Sequence, residues 1–158
     1  MLSKTRNLLE EIDSMISGGT LRENDYLTCK LCEYSIILFH AEVETRVKSL
    51  IYDQTVCNHV TADFKKTIAK GVVRALKYSD IRSNFQDSFW NNIEEFVQQQ
   101  LSRDDDFERL KEIYSNIMAA RNEISHAGET QHEITLRRVK DAVRFCEYII
   151  EAIRQHYR

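Results

Sequence analysis

The stretch Ala120–Gly128, with the sequence ARNEISHAG, combines residue types that can bind an anion and move a proton. The guanidinium of Arg121 can hold an oxyanion in a forked geometry. The imidazole of His126 has an ordinary pKa near neutrality, so it can act as an acid or a base. Asn122 lies four residues before His126, at the spacing that brings two side chains into contact on a helix. This stretch is therefore the first place to look for chemistry.

The helix that carries these residues has a core stripe and a polar strip. At about 100° per residue, Asn122, Ser125 and His126 lie on the side away from the core stripe, and Arg121 falls at the boundary. Gly128 ends the helix and leaves His126 in the last turn, next to a loop. A purely structural role is the alternative, because Arg and His also suit the negative end of a helix dipole. The core stripe consists of Ile113, Ile117, Ala120 and Ile124.

The composition indicates one helical domain over residues 1–158. Hydrophobic residues make up 42% of the 158 residues and charged residues 30%, which is typical of a globular protein with a sizeable core. The chain has no proline and four glycines, whereas β-rich folds draw on both for their turns. The formal net charge of -3 excludes an overall basic nucleic-acid binder but leaves room for a local basic face.

The sequence predicts a cytoplasmic protein without a membrane partner, a metal or another cofactor. No apolar run approaches the roughly 20 residues of a membrane span, and the charged N-terminal stretch does not resemble a signal peptide. The four cysteines are too scattered for a disulfide framework. Cys29 and Cys32 form a CxxC pair, but no second pair follows at a usable spacing, so we predict that they pack in the core.

Apolar residues recur near every 3.6 positions along most of the chain, which predicts helices. The longest are predicted over 20–52, 105–127 and 136–157, as the pillars of an all-α bundle. Asp105 and Glu108 have the spacing of a capping box at the start of the second pillar. Further predictions are a first helix that ends at Ser17–Gly19, a middle helix from Thr61 or Asp63 to about Tyr78, a weaker helix over 85–101, and Thr135 as the cap of the last helix.

Arg121, Asn122 and His126 resemble the signature of the HEPN superfamily (higher eukaryotes and prokaryotes nucleotide-binding domains). That signature is an Arg, a polar residue that is often Asn, and a His after a gap of four to six residues. The segment 36–51, which contains HAEVETR, is similar to the second helix of bacterial members. The resemblance implies an antiparallel helical bundle with an inserted segment of shorter helices. It also implies a homodimer in which two motif helices meet in one cleft.

Many HEPN proteins are metal-independent endoribonucleases, and the residues here suit that activity. An RNA 2′-OH can attack the neighbouring phosphate if a group such as His126 moves the proton and a fixed cation such as Arg121 stabilises the charge. Asn122 would orient His126 or bind a phosphate oxygen, and Ser125 would line the cleft. The expected product end is a 2′,3′-cyclic phosphate.

Supporting roles are predicted for residues around the motif. Glu44 could hold Arg121 in place, with Glu42 as its competitor, although both acids would also suit a solvated helix face. His132, Arg137 and Arg138 follow the motif closely and could contact RNA phosphates. A solvated charged face is the alternative for each of them.

The resemblance further implies a toxin or a phage-defence effector, neutralised by an antitoxin such as a nucleotidyltransferase-like protein. One alternative is a non-catalytic HEPN module that dimerises or binds a partner, in which the motif strip would pack into protein. Another is an unrelated helical adaptor in which the motif occurs by chance. Failure to cut RNA would favour the first alternative, and a monomer in solution would favour the second.

Overall fold

A computed structural model of the chain describes residues 2–52, 78–83, 85–101 and 106–155. The described residues form helices and contain no strand, so the prediction of an all-α fold is confirmed. No helix in this part of the chain is both long and apolar enough to cross a bilayer. The helices are α1 (Ser3–Ser17), α2 (Tyr26–Tyr52), α3 (Tyr78–Ser83), α4 (Asp87–Gln100), α5 (Phe107–Ala127) and α6 (Leu136–Gln155).

The predicted break after the first helix is confirmed, but the second helix begins later than position 20. Gly19 adopts a left-handed conformation with φ 75°, which ends α1. The backbone N–H groups of Thr20 and Leu21 then both donate to the carbonyl of Met15, at 2.9 and 3.1 Å. Since these amides are satisfied by the end of α1, the chain turns through 20–25 before α2 starts. The predicted middle helix lies outside the described residues except for Tyr78, which begins α3.

The two ends of α5 are set by local capping. Asp106 is the N-cap and accepts from the backbone N–H groups of Glu108 at 2.9 Å and Arg109 at 3.3 Å. The prediction of a helix from 105 was therefore wrong by two residues, and Asp105 itself lies outside the described residues. Gly128 ends the helix as predicted, with φ 78° and its N–H bonded to the Ile124 carbonyl at 3.0 Å.

The three long helices meet in one core. α5 packs along α6, and α2 packs against both, while α1 lies on α2 and α6. The ring of Tyr114 on α5 lies 6.1 Å from that of Phe39 on α2 and 6.0 Å from that of Phe145 on α6, measured between centroids. Burial of each such ring contributes about 1.5–3 kcal/mol. The last helix begins as predicted, because the Thr135 hydroxyl accepts from the Arg138 N–H at 3.3 Å.

Glu42, on α2, caps the N-terminal end of α1. Its carboxylate accepts from the backbone N–H groups of Lys4 at 3.1 Å and Thr5 at 2.8 Å, and from the Thr5 hydroxyl at 2.7 Å. Burial alone would raise the pKa of Glu42, but these hydrogen bonds outweigh it and hold the pKa below its usual value. A carboxylate also suits the positive end of the α1 dipole. Glu42 is therefore engaged in fixing α1.

The Glu42→Gln variant is expected to lose stability in a pH-dependent way. A carboxyl with a lowered pKa in the folded state stabilises that state above its unfolded pKa, and the effect disappears as pH falls through the folded pKa. At pH 7 the free energy of unfolding should drop by about 1.5–3 kcal/mol, the usual range for hydrogen bonds to a charged group. The two proteins should converge in acid, once the pH has fallen through the lowered pKa of Glu42. Urea unfolding at pH 7 and in acid measures this.

The control is Glu11→Gln, which removes an exposed acid of α1, the helix that Glu42 caps. It should change stability little at either pH. A Glu42→Gln loss that is equal at both pH values would contradict the capping role.

Candidate active site

Arg121 lies over the core, not at its edge. Tyr114 and Met118 of α5 are buried along with the aliphatic stripe, so the core-facing side of the helix is wider than the sequence indicated. At about 100° per residue, Arg121 falls between Ile117 and Met118, in the middle of that side. The predicted boundary position was therefore wrong. The side chain of Arg121 is nevertheless half-buried and not enclosed, and α5 ends less than two turns later, at Ala127.

The polar strip of α5 is open at the surface of the chain. The Nη1 group of Arg121 donates to Oδ1 of Asn122 at 3.1 Å, and both side chains are half-buried. Ser125 and His126 are exposed. His126 makes no hydrogen bond or ion pair with any residue that the structure describes. Asn122 is thus bonded to Arg121 and not to His126, and the imidazole faces solvent in the last turn of the helix.

α2 places His40 close to Arg121 of α5, and Glu44 follows His40 on the same helix. Glu44 accepts from Nζ of Lys48 at 2.6 Å and makes no ion pair with Arg121. His40 lies one turn earlier and is only 6% exposed. Burial first, and then the positive charge of Arg121, lower the pKa of His40, while Glu44 raises it slightly. His40 is therefore neutral at neutral pH and shares the electrostatic environment of Arg121.

Two buried polar atoms at this junction lack a hydrogen-bond partner. They are Nε2 of His40 and Nε of Arg121, on packed helices. A buried donor or acceptor without a partner costs about 1–3 kcal/mol, so native structures seldom keep one without a reason. The sequence offered no signal for His40, since a lone His in a mostly apolar helix has no local signature.

Glu123 fixes the loop that follows the motif. Its carboxylate accepts from the Thr130 hydroxyl at 2.5 Å and the Gln131 N–H at 3.2 Å, and it lies 3.4 Å from Nε2 of His132. The hydrogen bond from Thr130, followed by that from Gln131, holds the pKa of Glu123 below its usual value. His132 is thereby held against the C-terminal part of α5. Sequence analysis did not single out Glu123.

The two predicted RNA-contacting arginines differ in their surroundings. Arg138 is half-buried and pairs with Glu133 at 2.9 Å, which partly neutralises it. Arg137 is exposed at the start of α6 and has no partner among the described residues. Arg137 is therefore the more available cation of the two for a phosphate.

The CxxC pair belongs to the packing of α2. Cys32 is buried and Cys29 is half-buried. Burial raises the pKa of the Cys32 thiol to about 11, so it stays protonated and unreactive at neutral pH.

An all-α bundle that carries Arg121, Asn122 and His126 at the end of one core helix is a HEPN domain. The sequence matches the RiboL-PSP-HEPN family over residues 2–158, and the chain belongs to that family. Comparison with curated proteins and with solved structures gives no match.

Proposed function

We propose that this HEPN domain is a metal-independent endoribonuclease that acts as a homodimer. The observation that carries the proposal is the open end of α5, where Arg121 is hydrogen-bonded to Asn122 at 3.1 Å and His126 faces solvent. A hydrogen-bonded guanidinium and an accessible imidazole at the same end of one helix are the two groups that phosphodiester cleavage requires.

The reaction is an intramolecular transfer at phosphorus. His126 accepts the proton of the ribose 2′-OH as O2′ bonds to phosphorus. Arg121 donates hydrogen bonds to the non-bridging oxygens, where negative charge builds up. The P–O5′ bond breaks, and the partner's His126 donates a proton to the leaving O5′. The products are a 2′,3′-cyclic phosphate and a 5′-hydroxyl, and RNA itself supplies the nucleophile.

The outward side of α2 is the surface proposed to bind the second copy. Tyr26 is 78% exposed, Leu27 55%, Tyr34 57% and Ile37 40%. With exposed Ala41, they fall within about 100° of arc and define the α2 outer face. An exposed apolar stripe of this kind is unusual for a monomer and is typical of an interface.

The position of the α2 outer face favours a second copy as its occupant. At about 100° per residue, Ile37 lies at the edge of this face, next to the flank that carries His40 and Glu44. That flank lies toward Arg121, so the apolar face borders the polar strip. Pairing two such faces about a two-fold axis would bring the two His126 side chains toward one cleft, as the two-histidine reaction requires.

We further propose a cytoplasmic toxin or phage-defence effector that an antitoxin, such as a nucleotidyltransferase-like protein, holds inactive. The membership of the HEPN superfamily supports this role. Constant cleavage of cellular RNA would harm the cell. A ribonuclease of this kind therefore needs a partner that inhibits it.

The test uses the purified protein with total RNA in excess chelator. We expect RNA cleavage with 2′,3′-cyclic phosphate ends, detected by end mapping, and no cleavage of DNA of matched sequence, which lacks the 2′-OH. If the folded dimer cuts no RNA, the proposal fails, and a non-catalytic module that binds a partner becomes the better interpretation.

A further inference from the structure

The two unpartnered atoms at the junction of α2 and α5 are chemically complementary. Nε of Arg121 always carries a hydrogen and can only donate, because the guanidinium does not lose its proton in proteins. A neutral imidazole has one nitrogen that accepts. Since His40 is buried and neutral, its Nε2 can present that lone pair to Arg121.

Some N–H groups of the Arg121 guanidinium face the protein, and the others are available to a ligand. The guanidinium has five N–H donors in a planar fork. One Nη1–H is given to Asn122, and the Nε–H lies buried without a partner. The remaining hydrogens on Nη1 and Nη2 form the outer end of the fork, which is the end a phosphate would bind.

We propose that His40 is the positioning residue for Arg121, accepting the Nε–H of its guanidinium at Nε2 when RNA is bound. The phosphate takes the outer end of the fork and fixes the rotamer of Arg121. His40 then accepts the Nε–H of the guanidinium, and Asn122 accepts one Nη1–H, on the sides that face the protein. This role rests on the proposed ribonuclease function and adds a residue to the same site.

A neutral acceptor suits this position better than the carboxylate of Glu44. Glu44 is bonded to Lys48 at 2.6 Å and its side chain is 30% exposed, whereas His40 is almost enclosed. A carboxylate paired with Arg121 would also cancel part of the charge that attracts the phosphate. An imidazole orients the guanidinium and leaves its charge available.

The test compares His40→Phe with His40→Gln in the full-length protein. Phenylalanine fills the volume of His40 but cannot accept a hydrogen bond from Arg121. The value of kcat/KM for RNA cleavage should therefore fall by about 10- to 100-fold, as expected when a phosphate-binding group is misplaced. Glutamine places an oxygen near the position of Nε2 and should restore most of the activity. Ser35→Ala is the control, because it removes another buried polar group of α2 that bonds only within its own turn. It should leave activity unchanged.

A direct readout comes from the ¹H–¹⁵N signal of the Arg121 Nε–H, identified by its loss in Arg121→Lys. With a 2′-O-methyl RNA oligonucleotide as an uncleavable probe, this proton should exchange slowly in the wild type and quickly in His40→Phe. Wild-type cleavage that both His40 variants retain in full would overturn this role and leave the ribonuclease function standing. Absence of both cleavage and RNA binding by the wild type would overturn the function and this role together.

Discussion

The His126→Ala variant is expected to lose RNA cleavage almost completely while remaining a folded dimer. His126 is the proposed base in one subunit and the proposed acid in the other, so one substitution removes both proton transfers from the cleft. Removal of a general acid or base typically lowers kcat by about 10²- to 10⁴-fold. Single-turnover cleavage of a labelled RNA in excess chelator measures the loss.

Measurement of thermal stability distinguishes the loss of cleavage in His126→Ala from damage to the fold. His126 is exposed and makes no hydrogen bond within the described residues, and surface substitutions of this kind usually change stability by less than about 0.5 kcal/mol. Thermal unfolding should therefore change little. Glu129→Ala, at an exposed position just beyond the same helix, is the control and should keep full activity. Equal cleavage by wild type and His126→Ala would exclude the motif as the reacting site.

The Ile37→Asp variant is expected to be a monomer that does not cut RNA, although Arg121, Asn122 and His126 are all intact. Ile37 is 40% exposed at the edge of the α2 outer face that borders the site. In the proposed dimer this substitution buries two like charges across a two-fold axis, and desolvation of unpaired charges is strongly unfavourable. Light scattering and cleavage assays on the same sample measure both properties.

The proposed need for a dimer also predicts how the activity of the wild type depends on protein concentration. Its specific activity should fall once the protein is diluted below the dissociation constant of the dimer. Asn91→Asp adds the same charge at an exposed position of α4 and should change neither association nor cleavage. A monomeric Ile37→Asp protein with full activity would show that one subunit contains the whole site.

Local signals predicted the helices that carry the site. The 3.6-residue periodicity gave α5 and α6, and Gly128 and Thr135 marked their facing ends, because caps act within one turn. The position of Arg121 was misjudged for an equally local reason. The core stripe was drawn through Ile113, Ile117, Ala120 and Ile124 alone. Tyr114 and Met118 also bury their side chains, and they shift the centre of the buried side onto Arg121.

The roles of Glu42, His40 and Glu123 depend on contacts between parts of the chain that no short stretch of sequence contains. Glu42 meets Thr5 across 37 positions of the chain, so a helical wheel of α2 alone reads it as a solvated acid. His40 acquires its environment from Arg121 on another helix. Glu123 binds a loop whose path is unknown until the fold is formed. Each requires the packing of two elements, which periodicity does not encode.

Three consecutive residues of α2 point in three directions and serve three neighbours. His40 faces the motif helix, exposed Ala41 belongs to the outer face, and Glu42 reaches the start of α1. A helix advances about 100° per residue, so adjacent positions meet different surroundings. The proposed catalysis, the proposed association and the folding stability can therefore be perturbed one at a time by moving a single step along the chain. Substitutions at each position of HAE test the three separately within less than one helical turn.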